Sequence, residues 1–484
     1  MPPEPTPLAG LAVAVAGRLV GDGTPVVTDV THDSRTAGPG VMFVAIRGHA
    51  VDGHRFVPQA VAAGSPAVCV EDAAAAGGSP AIVVPDTRAA LGPLAARVHG
   101  NPSEHLRLVG VTGTNGKTTV THLVESIAGA AGLSHAIVGT VGARIGNRPV
   151  PVARTTPEAS DFQRLLGTMV DEGVDVAAVE VSSHALVLGR VAAARFRVAA
   201  FTNLSRDHLD FHGDMESYFA AKASLFEQAD RAVVWVDDPA GAKLAASLPM
   251  PVLTVGWRKD AGVFARRIEV DFAGSSFDVA GPGGGRPVRL QLAGRFNVAN
   301  ALVAAGCAIA LDVGWDSIAA GIAAAPSVPG RFELVDTGRG FTVVVDYAHT
   351  PDGVSAAVGA ARDILGGSGR VIVVVGAGGD RDRQKRPMMG RAAAQADLAV
   401  LTTDNPRSES PESILAEVAA GATGPGTVVR ELDRRAAIHL ALAEARPGDA
   451  VLILGKGHEQ GQDFGGVVVP FDDRTVAREE VAAL

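Results

Sequence analysis

The chain has 484 residues, 43 basic against 52 acidic, a formal net charge of −9, and 47% hydrophobic residues. At ~150 residues per unit this length suits about three domains, and the composition excludes disorder and fibrous repeats. The acidic balance and the 4% aromatic content exclude a dedicated nucleic-acid binder, which needs a basic face and stacking platforms.

The first apolar run, LAGLAVAVAG, follows Glu4 and has no preceding Lys or Arg. It is too short to span a bilayer and lacks the basic start of a signal peptide, so a cytoplasmic protein without a membrane span is expected. Short strands follow, VVTDVTHDSR, VMFVAIRG, AVCVED and AIVVPD, with the helical stretch FVPQAVAAG among them. The stretch around Asn101 and Pro102 reads as a linker. Cys69 and Cys307 both sit in apolar runs and read as small buried hydrophobes. From Arg107 continuous apolar segments alternate with Ala-rich helical ones: LRLVGVTG, AIVGTVG, VDVAAVEVSS, VAAFTNL, RAVVWVDD. That pattern predicts a mostly parallel sheet covered on both faces. The GPGGG stretch near Gly281 reads as a turn. A Pro/Gly joint spans Pro326 to Glu333, and the alternation resumes in FTVVVDYAH, RVIVVVGAGG, ADLAVLTTDN, GTVVREL and AVLILGKGH. The chain is therefore expected to be α/β, in domains 1–104, 105–328 and 329–484, with ligands at the carboxyl ends of the strands.

The sharpest local signal is Gly113-Thr114-Asn115-Gly116-Lys117-Thr118-Thr119 between a strand and a helix. Glycines let backbone N–H groups face an anion, and the helix N-terminus adds a favourable field. Lys117 is placed to reach the outer phosphates of ATP and Thr118 to hold Mg²⁺. The spacing departs from the common phosphate-loop pattern, because Val111 stands where its first glycine belongs. Glu180, Ser182-Ser183-His184, Asn203, Asp207, His208 and Asp210 follow the next strands. They form either a polar cap on the strand ends or a set converging on Mg²⁺. GAGGDRD resembles a dinucleotide fingerprint at Gly376 and Gly378, but Arg381 occupies the place of the third glycine. Only six basic residues are lysines, and four of them, Lys117, Lys222, Lys385 and Lys456, fall in these motif segments.

TGTNGKTT, EVSSHAL, NLSRDHLDFHG, the Lys of YFAAKASLF, GRFNVANALVAA, VPGRFE, VVVDYAHTPDG, GAGGDRDRQKRPMMG, TTDNPRSESP and LGKGHE occur in the order found in Mur ligases. From Thr28 to Glu459 the chain resembles that family. The resemblance implies a UDP-binding domain, a central ATPase and a Rossmann-like domain for an amino acid. It implies an amide-forming ligase that uses ATP and Mg²⁺ and passes through an acyl phosphate. Lys117, Glu180, His208, Lys222 and Arg331 would be catalytic. Thr118, Glu180, His208 and Lys222, as a carbamate, would hold metal; otherwise Lys222 is a helix-surface lysine. Asn300 and Asp346 would flank the nucleotide, with Tyr347 and His349 nearby. Ser34 and His49 would contact UDP, and Thr155, Thr156, Ser182 and Arg190 the muramoyl dipeptide. Leu188 departs from the polar residue expected there. Arg381, Asp404, Asn405, Pro406, Arg407, Gly455 and Glu459 would bind the incoming amino acid. The implied substrates are UDP-N-acetylmuramoyl-L-alanyl-D-glutamate and meso-diaminopimelate, and the implied state is a monomer. DNPR argues for diaminopimelate because Arg407 offers a planar fork for its second carboxylate. Ligases adding lysine or D-alanyl-D-alanine, folylpolyglutamate synthase, a phosphate-loop kinase and a purely regulatory ATPase are the alternatives.

Overall fold

Strands built from unbroken apolar runs must be covered on both faces, and that requirement organises three successive sheets. The computed structural model describes residues 5–48 and 51–484; His49 lies outside the described residues. The first sheet has the order Arg18–Val20, Ala81–Val83, Val68–Val70, Val41–Val44, Asp29–Thr31. Its first pair is antiparallel and the rest are parallel. Helix Thr87–Val98 starts at Asp86, whose side chain accepts the Ala89 N–H, and buries Leu91, Leu94 and Val98 against this sheet. The expected linker is instead an anchored joint. Asn101 is left-handed at φ 51°, Pro102 and Ser103 are buried, and Ser103 Oγ accepts the N–H of Arg195.

The central sheet has eight strands, in the order Arg148–Val150, Gly142–Ile145, His135–Gly139, Val176–Glu180, Arg107–Thr112, Phe196–Phe201, Ala229–Trp235, Val252–Val255. The last six are mutually parallel, and an antiparallel hairpin extends one edge. Helices Lys117–Ala130 and Arg295–Ala310 cover one face through Val120, Leu123, Ile127 and Leu302. Helix Ala159–Asp171 covers the other with Phe162, Leu166 and Met169. A three-stranded antiparallel sheet, Phe264–Asp271, Gly274–Gly281 and Gly284–Leu290, is appended. It was not expected, because its first strand mixes charged exposed residues with mostly half-buried ones and shows no apolar run. The glycines at 281–284 make the turn within it.

The third sheet runs Glu333–Val335, Thr342–Asp346, Ala450–Leu454, Val371–Val375, Leu398–Leu401, Thr427–Arg430, parallel except for its first pair. A two-stranded hairpin, Gly461–Phe464 with Val467–Pro470, follows. Cys69 and Cys307 are buried, and burial pushes both thiols up to about 12. Among the described residues no helix is long and apolar enough to cross a membrane.

Candidate active site

Strand Arg107–Thr112 ends at Gly113, and helix Lys117–Ala130 begins four residues later. Two glycines are required here. Gly113 has φ +145°, and a Cβ on it would stand 1.9 Å from Thr202 Oγ1; Gly116 has φ +87°, and its Cβ would stand 2.3 Å from Asn300 Oδ1. The loop is held by Asn203, whose carbonyl accepts the Thr114 N–H and whose Oδ1 accepts that of Asn115, each at 2.9 Å. Lys117 Nζ folds back over the loop, donating to the carbonyls of Gly113 (2.9 Å) and Thr114 (2.8 Å). A cavity of about 520 Å³ opens beside it, lined by Asn115, Gly116, Thr118, Thr119, Asn300, Arg331 and Asp346. Asn300 and Asp346 both line this cavity. The far wall was missed by sequence reasoning: Trp235 and Trp257, in an edge-to-face pair at 5.0 Å, with Phe296. Two of only three tryptophans in the chain stand there, a scarcity that was available as a signal.

Glu180 ends its strand at the loop. Its Oε2 accepts from Thr118 Oγ1 and Thr140 Oγ1, both at 3.0 Å, and its Oε1 accepts the Thr140 N–H at 2.8 Å. Arg331 donates through Nη2 to Thr118 Oγ1 (2.8 Å) and lies 4.6 Å over the Tyr347 ring, while its Nε is buried with no partner among the described residues. Asp346 is occupied by backbone, accepting from Phe332 N and Ala348 N; burial raises its carboxyl.

Lys222 is not a surface lysine. It is buried, donates to the Gly113 carbonyl at 2.7 Å and sits 4.3 Å over the Tyr218 ring, with no carboxylate in ion-pair contact among the described residues. Burial, and then the neighbouring Lys117, hold its amine well below the ordinary lysine value. His208 is left-handed at φ 55°, lies 4.7 Å from the His184 ring, and is brought down to about 3 chiefly by burial, so its imidazole is neutral. Asp210 is exposed and acts on His184 and His212 only through its charge. The hydroxyl of Thr118 and the carboxylate of Glu180 are hard oxygen donors suited to a small divalent ion. Among the described residues no three His, Cys, Asp or Glu form a group that could hold a metal ion by themselves, so a full shell needs phosphate oxygens or a further oxygen on Lys222.

Asp207 joins the central and C-terminal units. It meets Lys385 Nζ at 3.1 Å, His208 Nε2 at 3.3 Å and His349 Nε2 at 3.5 Å. Burial alone would raise its carboxyl, but the hydrogen bond from His349 and the charge of Lys385 hold it well below the ordinary range. Beside it Arg206 pairs with Asp382 at 3.2 Å and donates to Gln384 at 2.7 Å.

Three of the four residues expected to hold the dipeptide, Thr155, Thr156 and Ser182, meet around Glu180, and Arg190 joins them at the Thr156 carbonyl, 3.5 Å from its Nη1. Thr156 Oγ1 donates to the Glu180 carbonyl (2.8 Å) and accepts the Ser182 N–H (3.2 Å). Thr155 meets Thr140 at 3.2 Å, and Arg190 pairs with Glu158 at 2.9 Å. Ser34 stays on the first sheet's unit, hydrogen-bonded to Gln59 at 3.3 Å. Leu188 ends the short helix Ser183–Val187 and offers only backbone, its carbonyl 3.5 Å from Arg88 Nη1.

A second cavity, about 170 Å³, lies where the units meet. Arg381, Asp404, Asn405, Arg407, Gly455 and Glu459 line it from the third sheet, and His208 reaches it from the central unit. Pro406 is not in its wall. Arg407 is itself left-handed at φ 52°, held by its N–H on the Asp463 carbonyl (2.9 Å) and by Nη1 on the Gly379 carbonyl (2.6 Å). The glycines of GAGG serve this loop: a Cβ on Gly376 would stand 2.5 Å from the Thr402 carbonyl and one on Gly379 1.8 Å from that of Pro406. Close packing accounts for these glycines without a dinucleotide.

Three family models cover most of the chain: the Mur ligase family catalytic domain over residues 26–99, the Mur ligase middle domain over 111–308, and the Mur ligase glutamate ligase domain over 330–457. The chain belongs to the Mur ligase family. It is 48% identical to the UDP-N-acetylmuramoyl-L-alanyl-D-glutamate–2,6-diaminopimelate ligase of Streptomyces coelicolor, over 99% of this chain and 98% of that one. It is 45% identical to the enzyme of the same name from Geobacillus thermodenitrificans, over 95% and 96%. A solved structure of a ligase of that name matches 99% of both chains at 30% identity with a TM-score of 0.70. Folylpolyglutamate synthase of Mycobacterium tuberculosis shares the fold at 23% identity and a TM-score of 0.61, over 76% of this Mur ligase and 92% of the synthase.

Proposed function

We propose that this Mur ligase joins an amine of meso-diaminopimelate to the D-glutamate carboxylate of UDP-N-acetylmuramoyl-L-alanyl-D-glutamate, using ATP. The relatives of that name match nearly end to end, and one observation carries the chemistry. The nucleotide-sized cavity has Thr118 and Arg331 in its wall, the smaller polar cavity has His208 in its own, and Tyr347 lines both, so the two cavities meet at one side chain. A purely regulatory ATPase has no use for the second cavity, and a kinase would release a phosphorylated product instead of an amide. For this reading the domains divide at 104/105 and 328/329, and the enzyme acts as a cytoplasmic monomer.

The glutamate carboxylate oxygen attacks the γ-phosphorus of ATP, the β–γ bond breaks, and ADP and an acyl phosphate result. The amine then attacks the acyl carbon, the tetrahedral adduct expels phosphate, and the amine loses its proton. Backbone N–H groups of Gly113–Thr119 hold the phosphates, Lys117 leaves its loop carbonyls for the outer ones, and Asn300 and Asp346 flank the nucleotide. Arg331 brings an unspent N–H to the transferring group, where charge is greatest. Thr118, Glu180, His208 and Lys222, as a carbamate, would hold Mg²⁺, whose chemistry is to neutralise phosphate oxygens. Burial shifts the Lys222 amine towards the neutral form, which is the one that captures CO₂. Thr155, Thr156, Ser182 and Arg190 hold the dipeptide, and Ser34 and His49 its UDP end. Arg381, Asp404, Asn405, Arg407, Gly455 and Glu459 take the amino acid, with Pro406 bracing the loop.

The test is phosphate release by the purified enzyme with ATP, the UDP-dipeptide and each amino acid singly omitted. Release that needs both substrates, with an amide product by mass, supports the reading; release without an amino acid overturns it.

A further inference from the structure

Lys456 follows Gly455 at the end of strand Ala450–Leu454 and is wholly buried. Its Nζ donates to Asn405 Oδ1 at 3.1 Å and to Glu459 Oε2 at 3.0 Å. Asn405 Nδ2 donates to the same Glu459 oxygen at 2.8 Å, and Asn405 Oδ1 also accepts the Asp463 N–H at 3.1 Å. Asn405 and Glu459 line the smaller cavity; Lys456 does not. It lies behind that wall.

Donor and acceptor chemistry makes the arrangement directional. An ammonium and a backbone N–H can only donate, so together they fix which end of the Asn405 amide is oxygen. The NH₂ end is thereby aimed at Glu459. Both donors fall on Glu459 Oε2, and Oε1 takes neither. A lysine buried this completely is retained only where its partners compensate the lost hydration. Those partners are two of the groups that face the acceptor.

We propose that Lys456 is a positioning residue for the acceptor amino acid. From behind the wall it locks Asn405 and Glu459 into one orientation, leaving Glu459 Oε1 to receive an ammonium of the acceptor. The inference rests on the reading of the smaller cavity as the diaminopimelate site.

The experiment compares Lys456→Met, an unbranched chain one atom shorter that loses every donor, with wild type. KM for diaminopimelate rises roughly 10- to 100-fold, the effect of losing charge-assisted hydrogen bonds. KM for ATP and for the UDP-dipeptide stay within about twofold, and kcat at saturating acceptor within about threefold, because groups far from a site act independently. Combined with Glu459→Gln, the double variant shows the KM of the worse single variant, since both act through one carboxylate. Lys456→Gln, which restores one donor, falls between wild type and Lys456→Met and serves if the methionine variant does not fold. An unchanged acceptor KM, a loss confined to kcat, or multiplied effects in the double variant overturns the proposal. So does failure of both variants to fold, which makes Lys456 a determinant of the fold instead. If wild type itself shows no diaminopimelate-dependent phosphate release, the reading of the site falls and this inference with it; if it does, only the inference is at stake.

Discussion

Replacing Arg407 tests the proposal that its guanidinium selects the amino acid. The residue is half-buried, and Nη1 is already committed to the Gly379 carbonyl at 2.6 Å, so the rest of the guanidinium is what remains for the far carboxylate of diaminopimelate. Hydrogen bonds to charged groups contribute about 1.5–3 kcal/mol each. Partial exposure discounts a two-pronged contact to roughly 2–4 kcal/mol, or about 30- to several-hundred-fold in kcat/KM. Arg407 holds φ 52°, and alanine, which also carries a Cβ, keeps that backbone cost unchanged; the effect of Arg407→Ala therefore reports the side chain. The assay is kcat/KM for diaminopimelate and for lysine, with wild type, Arg407→Ala and Arg407→Lys. Wild type prefers diaminopimelate strongly. Arg407→Ala loses diaminopimelate and leaves lysine unaltered, and Arg407→Lys recovers part of the loss, since it keeps the charge without the fork. Equal use of lysine by wild type, or equal loss of both substrates in Arg407→Ala, would falsify the argument.

Gly116→Ala places a Cβ against Asn300 Oδ1 in a left-handed backbone, and ATP affinity by calorimetry falls more than about 100-fold; wild-type affinity counts against the phosphate loop. Lys222→Ala is inactive and regains turnover with small carboxylic acids if a carbamate acts there, whereas an active enzyme with an unmodified Lys222 by mass refutes the carbamate. Lys385→Met removes the cation from buried Asp207, so kcat drops roughly 10- to 100-fold and solution scattering shows a more open molecule; unchanged scattering and rate mean that this pair does not hold the units together. Burial, with Arg331 adding to it, holds His458 below its ordinary value. The unfolded chain takes up that proton near pH ~6.5 while the folded chain does not, so stability is complete above that pH and declines on acidification. His458→Gln flattens the fall in Tm between about pH 6.5 and 5, and an unaltered slope refutes the assignment.

Much of the site was legible because its groups are local in sequence. A glycine loop between an apolar strand and a helix carries its own meaning, since backbone geometry alone forces Gly113 and Gly116. The scarcity of lysine also pointed inward: Lys222, Lys385 and Lys456 are buried on specific partners and Lys117 is partly buried over its loop, whereas Lys243 and Lys259 are exposed. The parallel sheets followed from unbroken apolar runs. The appended antiparallel sheet did not, because strands with one solvated face mix charge into their pattern.

What the sequence by itself determined is the kind of each element and the chemistry each motif carries, because local backbone conformation and side-chain type are written residue by residue. Only the tertiary structure decided which motifs share a space. Nothing in the spacing says that Asp207 reaches Lys385 across 178 residues, that Trp235 and Trp257 wall the nucleotide cavity, or that Lys456 stands behind Asn405 and Glu459. Those contacts come from packing the central and third sheets together; burial there lowers Lys222 and His208, while the groups around Asp207 keep its carboxyl low against burial.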